Sequence, residues 1–113
     1  DVNVIRRPGL DEFLGAVGSM YEVIVFTAAL PNYANAVIDT IDPSGVIKHR
    51  LFREHCVFQE GEYVKDLSKL GRDLKSTMII DNLAASYQLQ PANGIACSSF
   101  IGDPNDRTLY DTE

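Results

Sequence analysis

Four polar side chains stand where they could do chemistry together. Thr27 follows one short apolar run of the sequence, and Asp81 and Asn82 follow another, while Lys65 lies on the segment between the two runs. In open α/β sheets the active site lies beyond the carboxyl ends of the strands. A hydroxyl, two hard oxygen ligands and an ammonium group at such an edge suit a phosphate group and a magnesium ion.

Each of these residues also has an ordinary structural role in proteins. A lone threonine is more often a helix cap than a ligand, an Asp-Asn pair is more often a turn, and a lone lysine is usually solvated. Each signal is therefore weak alone. The chemical interpretation depends on Thr27, Lys65, Asp81 and Asn82 meeting at one edge of a sheet.

The elements that must position these residues alternate between strands and helices. Apolar runs and period-two alternation predict strands at residues 2–5, 23–26, 77–80 and 95–97. A helical period predicts helices at about 10–19 and from Pro31 onward. This alternation is typical of a parallel α/β sheet.

A different pattern follows the second helix. Residues 46–58 alternate loosely, and Glu60-Gly61 separates the apolar pairs at 57–58 and 63–64, which predicts a small antiparallel β insertion at about 46–64.

Local start and stop signals refine these elements. In the helix from Pro31, the apolar spacing predicts an inward stripe of Tyr33, Val37 and Ile41, joined by Ala34 and Ile38. Residues 42–45 read Asp-Pro-Ser-Gly, the preference of a type I turn. Asp66 is expected to cap a short helix over 67–70 that Gly71 closes, and Asp103-Pro104 with Asp106 is expected to start a last helix.

Composition limits the classes of protein that the chain can represent. Its 113 residues are enough for one small domain, and 45% apolar with 23% charged residues is typical of a soluble globular chain. A net charge of −6 argues against nucleic-acid binding, and no apolar run approaches the length that spans a bilayer. Cys56 and Cys97 are too isolated for a zinc site or a redox motif, so both are interpreted as buried, inert thiols.

Seven motifs together resemble a known family. They are Arg7-Pro8, Asp11-Glu12-Phe13-Leu14, Phe26-Thr27-Ala28, Leu51-Phe52-Arg53-Glu54-His55-Cys56, Tyr63-Val64-Lys65-Asp66-Leu67, Leu70-Gly71-Arg72-Asp73-Leu74 and Ile80-Asp81-Asn82. In order and spacing they resemble the small CTD phosphatases, the FCP-type or NLI-interacting-factor-like branch of the haloacid dehalogenase superfamily. The resemblance implies the Rossmann-like parallel sheet of that superfamily, with residues 1–113 forming the C-terminal portion of a single FCP-homology-like phosphatase domain.

The resemblance also implies an activity and a set of site residues. The activity is that of a magnesium-dependent phosphoserine/phosphothreonine protein phosphatase that works through an aspartyl-phosphate. Thr27, Lys65 and Asp81 would be the catalytic residues, and Asn82 together with Asp81 would serve the metal. Arg53 would contact the substrate near its phosphate, and Leu30 and Tyr33 would form an apolar pocket for a substrate proline, although ordinary packing of a helix start explains those two equally well.

Three departures from the family pattern stand out. Residues 83–86 read Leu-Ala-Ala-Ser where the family usually has Ser-Pro, and 99–103 read Ser-Phe-Ile-Gly-Asp where an aromatic is placed differently. The family's D-x-D-x-[T/V] motif, which carries the nucleophile and the acid/base carboxylate on the central first strand, does not occur in these residues. We therefore expect that strand upstream of Asp1, and we expect the 113-residue chain to be inactive alone.

The sequence leaves two further interpretations open. One is a non-catalytic protein-binding module built on the same fold, which the altered residues at 83–84 favour. The other is a domain that mainly presents a peptide-binding surface through Leu30, Tyr33 and Arg53. The expected partner is a phosphorylated protein, with a Ser-Pro-containing tail as one candidate, and the expected location is intracellular, in the nucleus or the cytoplasm.

Overall fold

The computed structural model describes residues 4–112. Its helices are α1 (Leu10–Met20), α2 (Pro31–Ile41) and α3 (Thr108–Thr112). Its strands are β1 (Val23–Phe26), β2 (Ile47–Leu51), β3 (Val57–Gln59), β4 (Glu62–Val64), β5 (Ile79–Asp81) and β6 (Gly94–Ala96). Short 3₁₀ helices lie at Arg53–His55, Leu67–Leu70, Leu74–Ser76, Ala84–Tyr87 and Pro91–Asn93.

The six strands form three two-stranded sheets. β1 pairs with β2 in parallel, β5 pairs with β6 in parallel, and β3 pairs with β4 antiparallel. The described residues are therefore a mixed α/β structure, as the alternation of elements predicts. The predicted limits of the antiparallel insertion are wrong: 47–51 joins β1 in parallel, so the antiparallel part is confined to 57–64.

The β3–β4 hairpin turns at Glu60 and Gly61. Gln59 pairs with Glu62, and the residues between them, Glu60 and Gly61, have φ angles of 53° and 81°. Two positive φ angles define a type I′ turn, whose twist matches that of the flanking strands. Glycine adopts this conformation without penalty, whereas glutamate does so at a steric cost.

α1 agrees with its prediction and lies close to the start of β2. It begins after Gly9, whose φ of 85° needs a glycine, and it ends at Met20. A Cβ atom added at Gly18 would stand 2.5 Å from Val46 Cγ1, so the absence of a side chain at Gly18 lets the helix approach this closely.

α2 begins at Pro31 as predicted, but its buried stripe is centred differently. Ala34 and Ile38 are buried, whereas Tyr33 is 57% exposed. The prediction of Tyr33 as an inward residue is therefore wrong. Neighbouring positions lie 100° apart around a helix, so a face centred on 34 and 38 turns Tyr33 toward solvent.

Two polar side chains fix turns near the sheet ends, as predicted. The Gly45 N–H donates to the Asp42 carbonyl, and the Asp42 carboxylate also accepts the N–H groups of Val46 and Ile47, which fixes the start of β2. The Asp66 carboxylate accepts the N–H of Ser68 at 3.0 Å, and Gly71 closes that short helix with a φ of 71°.

Three predicted strands differ from the structure in their limits. The strand predicted at 77–80 begins at Ile79, because the N–H of Thr77 still bonds to the Leu74 carbonyl of the preceding 3₁₀ helix. The strand predicted at 95–97 is 94–96. Of the strand predicted at 2–5, residues 2 and 3 lie outside the described residues, and residues 4 and 5 are not in a strand.

The last helix starts later than predicted because Asp103 forms a turn instead. Its carboxylate accepts the N–H of Asn105, and its carbonyl accepts the N–H of Asp106. The helix then begins at Thr108, whose N–H donates to the Asp106 carboxylate. Asp side chains favour such local bonds over a continuing helix.

Two ion pairs join distant segments of the chain. Arg7 Nε lies 2.8 Å from Asp106 Oδ1, and hydrogen bonding to Arg7 lowers the pKa of the Asp106 carboxyl. Arg72 makes two hydrogen bonds to Glu22, at 2.7 and 2.9 Å, and these bonds hold the pKa of the Glu22 carboxyl at about 2. His49 Nε2 lies 3.2 Å from the same carboxylate.

The buried core of the described residues is small. Its apolar members are Ala34, Ile38, Val64, Leu67 and Tyr87. Tyr87 packs directly over the backbone of β6, because a Cβ atom at Gly94 would lie only 2.2 Å from its ring. Among residues 4–112, no helix has the length and apolar character needed to cross a membrane.

Candidate active site at the strand ends

Lys65 and Asp81 form an ion pair at the carboxyl end of β5. Lys65 directly follows β4, and its Nζ lies 2.5 Å from Asp81 Oδ2. Both side chains are nearly buried, at 11% and 8% exposure. The Lys65 backbone N–H donates to the Ser86 carbonyl at 2.7 Å, so the lysine is held at its backbone as well. An ammonium with so little water around it can stabilise added negative charge strongly.

Asp81 and Asn82 are each bonded to the loop that follows β5. Asp81 Oδ1 accepts the N–H of Leu83 at 2.9 Å, so both carboxylate oxygens have a partner. Asn82 Nδ2 donates to Ser99 Oγ at 2.9 Å. That bond orients the amide, and among residues 4–112 no hydrogen bond reaches its Oδ1 oxygen, which is available as an acceptor.

Thr27 follows β1, and its side chain fixes the loop that leads into α2. Its N–H donates to the Leu51 carbonyl, which extends the β1–β2 pairing, and its Oγ1 accepts the N–H of Ala29 at 3.0 Å. This is a local turn bond and not the helix cap anticipated as the structural alternative, because the N-cap of α2 is Leu30 and no side chain among the described residues caps that helix. Because the hydroxyl acts as an acceptor in that bond, its own proton remains able to donate to a ligand.

Arg53 is fixed beside the same loop. Its Nε donates to the Ala28 carbonyl at 2.7 Å, and its backbone N–H donates to the Ala29 carbonyl. The guanidinium carbon lies 5.0 Å from the centre of the Tyr63 ring, which adds a cation–π contact. Sequence reasoning did not single out Tyr63, since the alternation of a hairpin strand does not show which ring will meet which arginine.

Cys56 lies among these groups, a position that no sequence pattern predicted. Its Sγ lies 3.9 Å from the Thr27 carbonyl oxygen and 3.7 Å from that of Phe52. Burial raises the pKa of its thiol, and the positive charges of Lys65 and Arg53 offset that only in part. Thr27, Lys65 and Arg53 therefore all lie around one half-buried thiol.

Leu30 and Tyr33 lie on the surface at the start of α2. They are 51% and 57% exposed, so neither belongs to the core of the described residues. Ordinary core packing, the alternative explanation for these two residues, therefore does not account for them. Their exposed apolar surface is available to a binding partner.

The residues present supply only part of a magnesium site. Among residues 4–112, no group of three or more His, Cys, Asp or Glu side chains converges in a way that could hold a metal ion. Mg²⁺ prefers six oxygen ligands and usually keeps several waters. The Asn82 side-chain oxygen fits as one such ligand, whereas Asp81 is engaged by Lys65 and Leu83 and fits better as a support.

Comparison with known proteins gives one consistent family. The family described as NLI interacting factor-like phosphatase matches residues 1–113. The chain is 50% identical over 108 residues to human carboxy-terminal domain RNA polymerase II polypeptide A small phosphatase 2, covering 96% of this chain and 40% of that protein. It is 47% identical over 110 residues to human small phosphatase 1 of the same description, covering 97% and 42%.

A third relative gives a similar match. The chain is 51% identical over 110 residues to CTD small phosphatase-like protein 1 of Caenorhabditis elegans, covering 97% of this chain and 22% of that protein. The chain thus spans between about a fifth and two fifths of the length of these relatives.

Proposed function

Because the chain belongs to the NLI interacting factor-like phosphatase family, we propose that it forms part of a magnesium-dependent phosphoserine/phosphothreonine protein phosphatase. The observation that carries this proposal is the nearly buried Lys65–Asp81 pair at the carboxyl end of β5. Buried ion pairs are costly unless they are well bonded, and in α/β proteins this edge is where ligands bind.

The proposed roles follow from the contacts of each side chain. Lys65 has three N–H donors, of which one is bonded to Asp81 among the described residues, so its ammonium can bond to phosphoryl oxygens while Asp81 orients it. The Thr27 hydroxyl would donate its proton to another phosphoryl oxygen. Groups fixed in this way need no rearrangement when negative charge develops in the reaction.

The attacking carboxylate of the proposed reaction lies outside these 113 residues. In the proposed reaction, an aspartate of a D-x-D-x-[T/V] segment attacks phosphorus as the bond to the serine or threonine oxygen breaks. A second carboxyl group, in its protonated form, donates its proton to that oxygen, and water then hydrolyses the aspartyl-phosphate to release inorganic phosphate and the free aspartate. Mg²⁺, held partly by Asn82, would neutralise charge on the phosphoryl oxygens.

The proposed substrate is a phosphorylated protein segment, and Arg53 would contact it near the phosphate. Two relatives are named for the carboxy-terminal domain of RNA polymerase II, which supports a protein substrate. Leu30 and Tyr33 would contact an apolar neighbour of the phosphorylated residue, such as the proline of a Ser-Pro pair, since both are exposed. The proposed location is the nucleus or the cytoplasm.

A non-catalytic protein-binding module is the second candidate. The residues that favour it are Leu83 and Ala84, which stand beside Asp81 and Asn82 in place of the family's Ser-Pro. Leu83 is 49% exposed, so an apolar side chain borders the region where a hydrated metal would sit.

Phosphate release from a phosphoserine peptide, measured with and without magnesium, separates the two candidates. The full-length natural protein is expected to release phosphate only with magnesium, and the 113-residue chain alone is expected to release none, because it lacks the D-x-D-x-[T/V] carboxylates. No turnover by the full-length protein under any magnesium concentration would favour the binding module. Turnover by the 113-residue chain alone would contradict the role given to those carboxylates.

A further inference from the structure

Arg53 is the one arginine that forms no ion pair with a carboxylate among the described residues. The others have an acidic partner at N–O distances from 2.7 to 3.9 Å, and they are Arg6, Arg7, Arg50, Arg72 and Arg107. Arg53 instead donates through Nε to the Ala28 carbonyl at 2.7 Å. Because a guanidinium has five N–H donors, this bond leaves the N–H groups of both terminal nitrogens for a ligand.

Two aromatic rings of the β3–β4 hairpin hold this arginine in place. The guanidinium carbon of Arg53 lies 5.0 Å from the centre of the Tyr63 ring, within the range of a cation–π contact. Phe58 pairs with Tyr63 across the hairpin, and their ring centres lie 5.0 Å apart with the planes at 56°. Aromatic pairs prefer such a tilted arrangement. Phe58 is 64% exposed, so its ring supports Tyr63 rather than the buried core.

An aromatic ring holds an arginine differently from a carboxylate. A carboxylate takes up the N–H groups and neutralises the charge, as Glu22 does in its two hydrogen bonds with Arg72. A ring contacts the flat face of the guanidinium, so the in-plane donors and the positive charge of Arg53 stay available. Since Ala28 directly follows Thr27, this cation is held beside the loop that the Thr27 side chain fixes.

We propose that Tyr63 is a positioning residue for substrate binding, which holds Arg53 so that its terminal nitrogens bind an anionic group of the phosphorylated protein segment. Phe58 supports the ring from its other side, and Tyr63 acts through Arg53 without contacting the segment. The proposal rests on the proposed function for the substrate of Arg53, but it concerns binding and requires no catalysis.

Binding of a phosphoserine peptide to the full-length natural protein tests the proposal. The probe is a short fluorescent peptide with a central phosphoserine-proline pair, and fluorescence anisotropy without magnesium gives its Kd. Tyr63→Leu is expected to raise the Kd by about three- to fivefold, the size of one exposed cation–π contact. Tyr63→Phe keeps the ring and is expected to keep the Kd within about 1.5-fold of the natural protein.

The same substitution without Arg53 separates positioning from a structural role. Arg53→Gln is expected to raise the Kd by about tenfold or more, because charge-assisted hydrogen bonds to the peptide are lost. In that background Tyr63→Leu is expected to change the Kd by less than about 1.5-fold, since a positioning residue acts only through the group that it positions. A further loss of about threefold or more would overturn the proposal.

Tyr110→Leu is the matched control. The Tyr110 ring lies 5.2 Å from the guanidinium carbon of Arg107, so a contact of the same kind is removed from α3, and the Kd is expected to stay within about 1.5-fold. If circular dichroism shows that Tyr63→Leu is unfolded, Phe58→Leu takes its place. Phe58 is exposed, and its loss is expected to raise the Kd by about twofold with Arg53 present and to have no effect in Arg53→Gln.

Several results would overturn the positioning role. They are an unchanged Kd in folded Tyr63→Leu, equal losses in Tyr63→Leu and Tyr63→Phe, and binding of the unphosphorylated peptide as tightly as the phosphorylated one, or of neither. Failure of the proposed function gives a different result. Binding that depends on Tyr63 and Arg53 as expected, without magnesium-dependent phosphate release from the same peptide, would leave the positioning role intact and count against the phosphatase mechanism.

Discussion

Removing the charge of Asp81 is expected to destabilise the chain strongly. Lys65 Nζ and Asp81 Oδ2 are 2.5 Å apart, and both side chains are nearly buried. Asp81→Asn keeps the shape but leaves the ammonium without a counter-charge, and loss of one partner of a buried pair costs about 3–5 kcal/mol. The matched control is Lys48→Met on the exposed edge of β2, where a surface change is expected to stay within about 0.5 kcal/mol.

Lys65→Met is expected to cost less than Asp81→Asn. Without the lysine, the Asp81 carboxylate still accepts the N–H of Leu83 at 2.9 Å, whereas no second partner of the Lys65 ammonium is found among the described side chains. The double variant removes both charges, so it is expected to cost less than the sum of the single variants, with a coupling of about 1–3 kcal/mol.

Urea unfolding of the unaltered chain and the four variants, followed by circular dichroism, measures these differences. The midpoints should shift while the slope with denaturant stays constant, which reports a change in stability alone. Strict additivity of the two single variants would refute the reasoning, because it would mean that the two charges do not interact. A cost below about 1 kcal/mol for Asp81→Asn would place the pair in the class of exposed ion pairs instead.

Three further perturbations test the packing, a turn and a surface ion pair. Gly94→Ala is expected to lose about 1–3 kcal/mol in urea unfolding, because the new Cβ would meet the Tyr87 ring at 2.2 Å. Gly15→Ala, with nothing within 4 Å, is its control and should gain about 0.5–1 kcal/mol; equal stability of the two variants would contradict this. Glu60→Asn should raise stability by about 0.5–1 kcal/mol, since Asn tolerates the φ of 53° in a type I′ turn, and a loss in thermal unfolding would argue against that turn. Glu22 has a pKa of about 2 in the fold, so its stabilising effect is present above its ordinary pKa of 4.5 and is lost as the pH falls toward 2. Glu22→Gln should therefore flatten the decline of the melting temperature between pH 5 and pH 2.5, and an unchanged decline would contradict the depressed pKa.

Local signals in the sequence predicted the parts of the fold that depend on local bonds. Pro31 starts α2, Asp42 closes its turn, and Asp66 caps the short helix after it, because each acts through backbone groups within five residues. The same reasoning failed at Asp103, where a competing turn satisfies the side chain before the helix begins. A local motif does not show which of two local bonds is made.

In the candidate site, too, some contacts could be predicted from the sequence and others could not. The logic of strand ends, together with the family resemblance, brought Lys65 and Asp81 to one edge, where the structure has them in contact. The position of Cys56 and the stacking of Tyr63 on Arg53 depend on how the hairpin folds over the loop after β1, which no pattern along the chain specifies. The outward direction of Tyr33 depends on which face of α2 is packed, and the apolar spacing predicted the wrong face for this residue.

Phosphate release by the full-length protein carrying Lys65→Ala tests the central proposal most directly. Lys65 supplies fixed positive charge at the strand ends, so its loss is expected to lower magnesium-dependent turnover of a phosphoserine peptide by about a hundredfold or more. Lys48→Ala removes an exposed lysine from β2 and is expected to leave turnover unchanged. The comparison is valid where circular dichroism shows both variants folded at the assay temperature. Turnover by folded Lys65→Ala within about twofold of the Lys48→Ala value would contradict the assignment of Lys65 to the phosphoryl group.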